Sequence, residues 1–330
     1  MRVLGGDIGG TKTALAIYDD GKLICRDTLP SADFPSLESL TQKFLSGCGA
    51  LGQGLAAACF GIAGPINADQ TCRATNLPWF INARTLSKEL AIPKVLLVND
   101  FHALSIGITC LPASDFEPLC DAPADENGPW AVIGAGTGLG EAVLVKDSSG
   151  DFRVLSSEGS HADFGPTDDT QTALLDFLAH RHGGHVSYER IASGSGLPAL
   201  YDFFLSEGMK PTDGVAAEVA ADSSRTAAII TSHGMKGDDA LCVRALDLFT
   251  TVYGAAAGNL ALTVIPRGGV YVAGGISPKI LPKLRDGTFM RAFRAKGRLS
   301  HVLQNLPVKV VLNPDAGLIG AGDIARKLAR

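Results

Sequence analysis

The sequence lacks an excess of positive charge and any long uninterrupted apolar run, and these two absences exclude several classes of protein. Lys and Arg total 29 against 34 Asp and Glu, which gives a net charge of −5. Surfaces that bind nucleic acid or anionic lipid through charge carry the opposite balance. No stretch approaches the ~18 consecutive apolar residues of a membrane span. We therefore expect neither a nucleic-acid partner nor a membrane partner.

Paired cysteine motifs are also absent. The seven cysteines form no Cys-x-x-Cys pair, and most lie in apolar surroundings, at positions 25, 48, 59, 72, 110, 120 and 242. This pattern predicts small buried apolar side chains in a reducing compartment and argues against a disulfide or zinc framework. The first ten residues contain an Asp and four glycines, where a signal peptide needs an unbroken apolar stretch. We expect a cytoplasmic protein.

Glycine, by contrast, is abundant, with 39 residues concentrated in a few places, and the length of 330 residues favours two domains. Residues 2–26 predict a strand, a glycine turn, a second strand, another turn and a third strand, which together form an antiparallel meander. A helix over 36–48 and short apolar strands over 55–60 and 94–98 follow, with a helix over 84–91 between those two strands. The pattern is typical of an α/β unit.

The same plan then begins again. Residues 111–129, rich in proline and acidic residues, predict a connection between domains. A strand from Trp130, a glycine turn over 134–140 and a second strand repeat the plan of residues 2–18, which suggests two related domains. Helices over 167–182 and 240–265, a strand over 269–273 and a terminal helix complete the chain. We place the small domain at 1–110 plus about 314–330, and the large domain at 111–313.

Neither glycine turn fits a common phosphate-binding motif. The first has Thr11 where the P-loop requires glycine, and the second has Leu139 and Glu141 at the two positions where Gly-x-Gly-x-x-Gly would need one. In both cases a strand follows, whereas those motifs require a helix. Two hairpin turns with a threonine in each remain. They either bind phosphate through backbone N–H groups or simply form tight hairpins.

Six short segments carry a resemblance to a known family. Residues 7–12, 134–140 and 269–275 resemble the nucleotide-contacting segments of the actin-like ATPase fold in its sugar-kinase branch. Residues 97–101 (LVNDF), 157–162 (SEGSHA) and 187–190 (SYER) are similar to bacterial glucokinases. The resemblance implies an α/β, actin-like ATPase (ribonuclease H-like) fold, with duplicated domains and an interdomain cleft.

The resemblance also implies an activity. It points to ATP-dependent phosphorylation of D-glucose to glucose 6-phosphate with release of ADP, the first step of glycolysis, with Mg²⁺ as cofactor and a homodimer as the assembly. A kinase for another hexose, such as mannose, fructose or an N-acetyl amino sugar, stays open as an alternative. A non-catalytic sugar-responsive regulator is less favoured, because such proteins usually carry a basic helix-turn-helix segment.

The family's functional residues transfer onto matching positions of this sequence. Asp100 corresponds to the general base that takes the proton of the sugar 6-hydroxyl, although an Asp there could instead cap the following helix. The resemblance assigns glucose binding to Asn99, Asp100, Glu158, His161 and Glu189. It assigns ATP binding to Asp7, Gly9, Gly10, Thr11, Lys12, Gly136, Thr137, Gly138, Gly274 and Gly275, with Asp7 also holding Mg²⁺ through water.

Zinc is expected to be absent. The related repressor–kinase group of sugar kinases carries a Cys-rich zinc motif after the sugar-binding histidine, whereas residues 162–166 here contain no cysteine. His180, His182 and His185 resemble a metal cluster at first sight. Positions 180 and 182 do not share a helix face, however, and Gly183 and Gly184 interrupt the element, so we interpret these histidines as surface residues.

Overall fold

The computed structural model describes all 330 residues and divides them into two compact units. The first unit comprises residues 1–115 and 313–330, and the second comprises residues 116–312. The sequence-based boundaries lay a few residues away, at 110/111 and about 313/314.

The first unit is built on a five-stranded sheet covered by helices. Its elements are β1 (Arg2–Ile8), β2 (Lys12–Asp19), β3 (Lys22–Pro30), α1 (Leu37–Gly47), β4 (Ala57–Ile62), β5 (Thr71–Arg73), β6 (Phe80–Asn82), α2 (Ala83–Glu89), β7 (Lys94–Asn99), α3 (Asp100–Ile108) and, from the chain end, α12 (Ala316–Ala329). The strand order is β3-β2-β1-β4-β7, and β5 and β6 form a separate two-stranded sheet. Every residue of β4 is buried, as expected of a central parallel strand with both faces covered.

Helices α3 and α12 approach each other so closely that their backbones touch. A Cβ atom added at Gly107 of α3 would overlap the carbonyl oxygen of Ala316, and one added at Gly320 of α12 would overlap that of Ala103. Only glycine permits this separation, because any side chain would force the two helices apart. The chain end thus forms an integral layer of the first unit.

The first unit contains a disulfide bond, which the sequence-based expectation excluded. Cys25 on β3 is bonded to Cys48, the residue that follows α1. The expectation was wrong because it relied on local surroundings and on the absence of a Cys-x-x-Cys pair. The two cysteines are separated by 23 residues, and only the packing of α1 against the sheet brings them together. Cys59, Cys72 and Cys242 are free and buried, as expected, whereas Cys110 is exposed and Cys120 is half-buried, so the expectation of buried cysteines was wrong for these two.

The second unit is built on a six-stranded sheet with a larger set of helices. Its elements are β8 (Phe116–Cys120), β9 (Trp130–Ala135), β10 (Leu139–Lys146), β11 (Phe152–Ser157), α4 (Asp169–His182), α5 (Gly196–Ser206), α6 (Asp213–Ala221), α7 (Thr226–Lys236), α8 (Ala240–Val264), β12 (Gly269–Ala273), α9 (Leu281–Arg285), α10 (Thr288–Arg294), α11 (Ser300–Gln304) and β13 (Val308–Val311). The strand order is β11-β10-β9-β12-β13-β8.

The two units share one strand plan. In the first, β3, β2 and β1 form an antiparallel meander that continues through the parallel strands β4 and β7; in the second, β11, β10 and β9 continue through β12 and β13 in the same way. This confirms the duplication indicated by the repeated strand–glycine turn–strand pattern. The meander of the second unit includes β11, which the sequence analysis did not predict.

The segment 111–129, interpreted as a connection between domains, contains a strand. Residues Phe116–Cys120 form β8, which pairs antiparallel with β13 at the edge of the six-stranded sheet. Pro118 hid this strand from the sequence analysis, because proline disfavours central strands; an edge strand tolerates it, since the missing N–H can face outwards.

Helix α8 is the core helix of the second unit. Its 25 residues are long and apolar enough to cross a membrane by length and composition alone, but 67% of its most apolar window is buried inside the unit. Asp239 caps its first turn by accepting a hydrogen bond from the N–H group of Cys242. Its buried residues pack against β9 and β12, so this helix lies beneath the strands that lead into both glycine segments of the unit.

Candidate active site

The first glycine turn connects β1 to β2 and begins just after Asp7. The N–H group of Gly9 donates to the carbonyl oxygen of Lys12 at 3.1 Å, and the Ser31 hydroxyl donates to the Gly9 carbonyl at 2.7 Å. A Cβ atom at Gly10 would lie 2.7 Å from the Cβ of Asn76, too close for two carbon atoms. The turn is therefore held in one conformation by its neighbours.

Asp7 lies in a strongly acidic environment. Its pKa is raised to about 6, chiefly by burial and further by the negative charges of Asp100 and Asp315. Asp315 precedes α12, and Gly317 in the first turn of that helix lies so close that a Cβ there would be 3.1 Å from the Asp7 carboxylate. Three carboxylates thus influence one another within the first unit, which favours a bound cation.

Asp100 is the first residue of α3, and Asn99 caps the helix. The Asn99 side-chain oxygen accepts from the N–H groups of Phe101, at 2.9 Å, and His102, at 3.3 Å. The alternative in which Asp100 is the capping residue is therefore wrong. The Asp100 carboxylate accepts from the N–H group of Phe101 at 2.8 Å, so its orientation is set by the end of β7 and the start of α3.

The second glycine turn connects β9 to β10 and is joined directly to Glu189. The N–H group of Leu139 donates to Oε2 of Glu189 at 2.9 Å, and a Cβ at Gly138 would overlap that same carboxylate. The N–H group of Gly194 donates to the carbonyl of Gly136 at 2.8 Å. Thr137, at the tip of the turn, is exposed. Glycine at 138 is therefore required by the carboxylate that lies against it.

The predicted adenosine segment, Gly274 and Gly275, lies against this second turn. Gly274 has a left-handed backbone, with φ of +84°, and a Cβ there would overlap the carbonyl of Ala135. By contrast, a Cβ at Gly275 or Gly136 would meet no protein atom within 4 Å. The space beside these two glycines is open, as a backbone-lined ligand site requires.

The three predicted sugar-binding side chains of the second unit lie together. Glu158 precedes the short turn 159–161, and its Oε2 lies 3.7 Å from Nε2 of His161; Nδ1 of His161 in turn lies 3.9 Å from Oε1 of Glu189. His161 and Glu158 are largely exposed, while Glu189 is 28% exposed. The imidazole therefore stands between two carboxylates, an arrangement that can accept and donate hydrogen bonds to several hydroxyl groups.

Glu189 connects the two predicted ligand sets of the second unit. One carboxylate oxygen faces His161, and the other is bonded to Leu139 in the glycine turn. In the first unit, Asn99 and Asp100 are neighbours in sequence, and Asp100 also acts electrostatically on Asp7. The structure thus brings the predicted residues together within each unit.

Sequence reasoning missed two polar groups that support these segments. Tyr253 lies in an otherwise apolar stretch of α8, and its hydroxyl lies within hydrogen-bond distance of Ala135 and Ser277. Asp315 affects the charge of Asp7 from a distant part of the sequence. Tyr253 could have been singled out only because its hydroxyl lies in a helix predicted to be buried, where such a group needs a hydrogen-bond partner. No local pattern indicated Asp315.

The chain combines a repeated strand plan, two glycine turns and carboxylates beside each turn, Asp7 and Asp100 in the first unit and Glu189 in the second. These features place it among sugar kinases with the actin-like ATPase fold. A family model described as Glucokinase matches residues 4–328. The glucokinase of Synechocystis sp. is 40% identical to this chain, with 97% of each chain covered. The chain belongs to the glucokinase family.

Solved structures give the same assignment. The structure of a glucokinase from an Antarctic psychrotroph is 31% identical and has a TM-score of 0.82, with 99% of both chains covered. A ROK family glucokinase from Streptomyces griseus, solved with glucose and AMPPNP, has a TM-score of 0.66 at 22% identity, with 99% of this chain and 100% of that chain covered. At that identity the second likeness shows the fold alone.

Proposed function

We propose that the protein transfers the terminal phosphoryl group of ATP to the 6-hydroxyl group of D-glucose, releasing ADP and glucose 6-phosphate. Membership of the glucokinase family supports this activity, as does the 40% identity to the glucokinase of Synechocystis sp.. The observation that carries it in this chain is the double contact of Glu189. Its carboxylate faces His161, one of the predicted glucose-binding residues, and accepts a hydrogen bond from the N–H group of Leu139 in the second glycine turn.

Asp100 is the general base in this proposal. Its carboxylate accepts the proton of the 6-hydroxyl group as the oxygen attacks the terminal phosphorus, and it returns that proton to solvent after product release. The position suits the role, because the Phe101 N–H group holds one carboxylate oxygen and Asp100 directly follows the last paired residue of β7, Asn99. A positioned base of this kind typically contributes ~10²–10⁴-fold to the rate.

Glucose recognition is assigned to Asn99, Glu158, His161 and Glu189 together with Asp100. Pyranose hydroxyl groups both donate and accept hydrogen bonds, so carboxylates, an amide and an imidazole can each bind one or two of them. The Asn99 side-chain oxygen caps α3 and its amide nitrogen donates one hydrogen bond to the Gly64 carbonyl at 3.4 Å, so the second amide hydrogen is the donor assigned to a sugar oxygen. The carboxylates then serve as acceptors.

ATP binding is assigned to the two glycine turns, residues 9–12 and 136–138, and to Gly274 and Gly275. Backbone N–H groups in glycine turns approach phosphate oxygens without interference from a Cβ. The open space beside Gly136 and Gly275 supports the assignment. Lys12 and the hydroxyl groups of Thr11 and Thr137 lie in or next to these turns and are exposed to a ligand.

Mg²⁺ is the proposed cofactor, and the residues fit it. Asp7 lies in a half-buried position where Asp100 and Asp315 add negative charge, and carboxylate oxygens are the ligands that Mg²⁺ prefers. When bound, the ion would neutralise charge on the phosphate groups during transfer. Asp7 would hold it through water, and the cation would offset the burial and the negative charges that raise the Asp7 pKa.

A hexose panel tests the proposed function. ADP release is measured with glucose, mannose, fructose and N-acetylglucosamine at matched concentrations, with the product identified as the 6-phosphate by mass spectrometry and NMR. We expect glucose to give the highest kcat/KM. A higher value for another hexose would reassign the substrate, and sugar-independent ADP release alone would contradict a sugar kinase.

We further propose a cytoplasmic homodimer. The family resemblance supports the dimer, and the use of ATP supports the location. The Cys25–Cys48 bond is more typical of oxidising compartments, so the location needs its own test. Light scattering on the purified chain measures the mass. Thiol labelling after rapid acid quenching, combined with cell fractionation, measures the location and the oxidation state of the two cysteines. A monomeric mass or an extracytoplasmic fraction would contradict the respective proposal.

A further inference from the structure

A chain of buried hydrogen bonds runs from Tyr253 to both predicted nucleotide segments of the second unit. The N–H group of Ala135, at the start of the second glycine turn, donates to the Tyr253 hydroxyl at 3.2 Å. That hydroxyl lies 3.2 Å from the Ser277 oxygen and 3.3 Å from the carbonyl of Ala273, and the Ser277 hydroxyl donates to the same carbonyl at 2.7 Å. Ala273 immediately precedes Gly274. Tyr253 is 0% exposed, so water cannot replace these bonds.

A second chain of polar groups passes through Asn259, which lies six residues after Tyr253 in α8. The Lys296 ammonium donates to the side-chain oxygen of Asn259 at 2.7 Å and to the carbonyl of Ala255 at 3.0 Å. The Asn259 amide then donates to the Tyr188 hydroxyl at 2.8 Å. Tyr188 is buried and adjoins Glu189 in one turn of 3-10 helix, residues 188–190. This chain therefore ends at the predicted sugar-binding carboxylate.

We propose that α8 carries two separate positioning groups, one for each substrate: Tyr253 holds the nucleotide segments, and Asn259, acting through Tyr188, holds Glu189. The inference rests on the proposed function and extends it to residues that touch neither substrate. Lys296 fixes the orientation of the Asn259 amide, because its ammonium group can bond only to the amide oxygen and so turns the N–H₂ group toward Tyr188.

The geometry explains why one helix can serve two ligands independently. Tyr253 reaches the ends of β9 and β12 through Ala135 and Ala273, whereas Asn259 reaches the segment 188–190. The two chains share no residue. The two segments are linked through the Leu139–Glu189 bond but are held by different chains, so loss of one hydroxyl should loosen its own segment more than the other, whereas a general loss of packing would loosen both alike.

Tyrosine-to-phenylalanine variants test the inference, because they keep the ring and remove only the hydroxyl. Tyr253→Phe leaves the Ala135 N–H group without its acceptor, and we expect the KM for ATP to rise ~3–10-fold with the KM for glucose within twofold. Tyr188→Phe should give the opposite result, a rise of ~3–10-fold in the KM for glucose with the KM for ATP within twofold. In both, kcat should change less than KM.

Tyr271→Phe is the matched control. Tyr271 is also a buried tyrosine of the second unit, but its ring stacks on Trp130 and meets Phe116 edge-on, and it takes part in neither chain. Both KM values should stay at wild-type level. Ser277→Ala and Lys296→Met change a second residue in each chain and serve as alternatives if a tyrosine variant folds poorly. Ser277→Ala should raise the KM for ATP selectively, as Tyr253→Phe does. Lys296→Met should raise the KM for glucose selectively, as Tyr188→Phe does.

The outcomes separate the two levels of the proposal. A wild-type protein without glucose-dependent ADP release would overturn the proposed function itself. With wild-type activity present, variants that raise both KM values together, or neither, would overturn the positioning roles and leave the proposed function standing. A selective rise in each case, confirmed by calorimetric titration of glucose onto Tyr188→Phe and of ATP onto Tyr253→Phe, supports them.

Discussion

The two glycine turns occupy the same place in two copies of one strand plan, yet they obtain their acidic groups from different sources. In the first unit, Asp7 lies on the strand that leads into the turn, and Asp100 follows β7, two strands away in the same sheet. In the second unit, β10 carries the buried Glu141 just after the turn, but the carboxylate bonded to the turn itself is that of Glu189. Glu189 reaches it from a segment about fifty residues later, as the separation to Leu139 records.

The two units thus share a strand plan but differ in how the carboxylates near their turns are placed and paired. The carboxylates of the first unit repel one another, and burial raises the pKa of Asp7 to about 6. The carboxylate of the second unit is instead satisfied by a backbone N–H group and faces an imidazole. The first arrangement suits a cation and a base, and the second suits hydroxyl groups.

The largest effect should come from removing the base of the first unit. Asp100→Asn keeps the side-chain shape and the bond to the Phe101 N–H group, so glucose should still bind while kcat falls by ~10²–10⁴. Stopped-flow ADP release and glucose titration measure the two quantities. Asp169→Asn is the control, since Asp169 is likewise the first residue of a helix, α4, and should leave kcat unchanged. Normal turnover in Asp100→Asn would refute its role as base.

A methyl group at Gly138 should break the link between turn and carboxylate in the second unit. Gly138→Ala places a Cβ against Glu189 and displaces it from the Leu139 N–H group, so we expect kcat/KM for glucose to fall ~10–100-fold. Gly214→Ala in α6, where a Cβ meets no atom within 4 Å, should have no effect. Equal kinetics for the two variants would show that Glu189 does not act through this turn.

Neutralising Asp7 should stabilise the first unit while impairing catalysis. The native state raises the Asp7 pKa from 3.8 to about 6, so it binds the proton more tightly than the unfolded state does, and stability is lost as the pH rises through about 6. Asp7→Asn removes this loss. We expect the free energy of unfolding of the variant to exceed that of wild type by roughly 2 kcal/mol at pH 8 and to match it at pH 3.

Urea denaturation at pH 3, 6 and 8 without Mg²⁺ gives the comparison. Asp33→Asn, a substitution of an exposed acid in the same unit, should stay within ~0.5 kcal/mol of wild type at every pH. Added Mg²⁺ should stabilise wild type at pH 8 and leave Asp7→Asn unaffected. A stability difference that does not change with pH would show that the charge of Asp7 is not its cause.

The smallest expected effect is a change in stability, which should differ between the two glycine turns because their glycines are packed differently. A Cβ at Gly10 would lie 2.7 Å from that of Asn76, whereas a Cβ at Gly136 meets nothing within 4 Å. Gly10→Ala should therefore lower the free energy of unfolding by roughly 1–2 kcal/mol, and Gly136→Ala by less than ~0.5 kcal/mol. Thermal unfolding without ligand measures both. A larger loss for Gly136→Ala would show that the space beside this glycine is not open.

The strand plan could be predicted because it depends on local patterns. Short apolar runs and clustered glycines identified β1, β2, β9 and β12, and their repetition predicted the duplicated fold. Glu158 and His161 are three residues apart, a spacing that places side chains on one face of a turn, and their nearest charged atoms lie 3.7 Å apart. Family resemblance supplied the roles of these residues, which spacing alone does not determine.

The rest depended on contacts between distant residues. Cys25 meets Cys48 only because α1 packs against the sheet, and Asp315 acts on Asp7 only because α12 returns to the first unit. Strand β8 is defined by a partner nearly two hundred residues later and contains a proline that local propensity penalises. The capping of α3 by Asn99 depended on a backbone angle that the adjacent Asn and Asp left ambiguous.

The return of residues 313–330 to the first unit has a consequence for protein synthesis. While the ribosome is still translating the second unit, the nascent chain already contains Asp7 and Asp100, but α3 has no partner for its glycine-bearing face. The second unit is continuous in sequence and can fold first. The acidic centre of the first unit is therefore completed only once α12 has been synthesised, so a chain terminated before residue 313 lacks Asp315 and has no finished acidic centre.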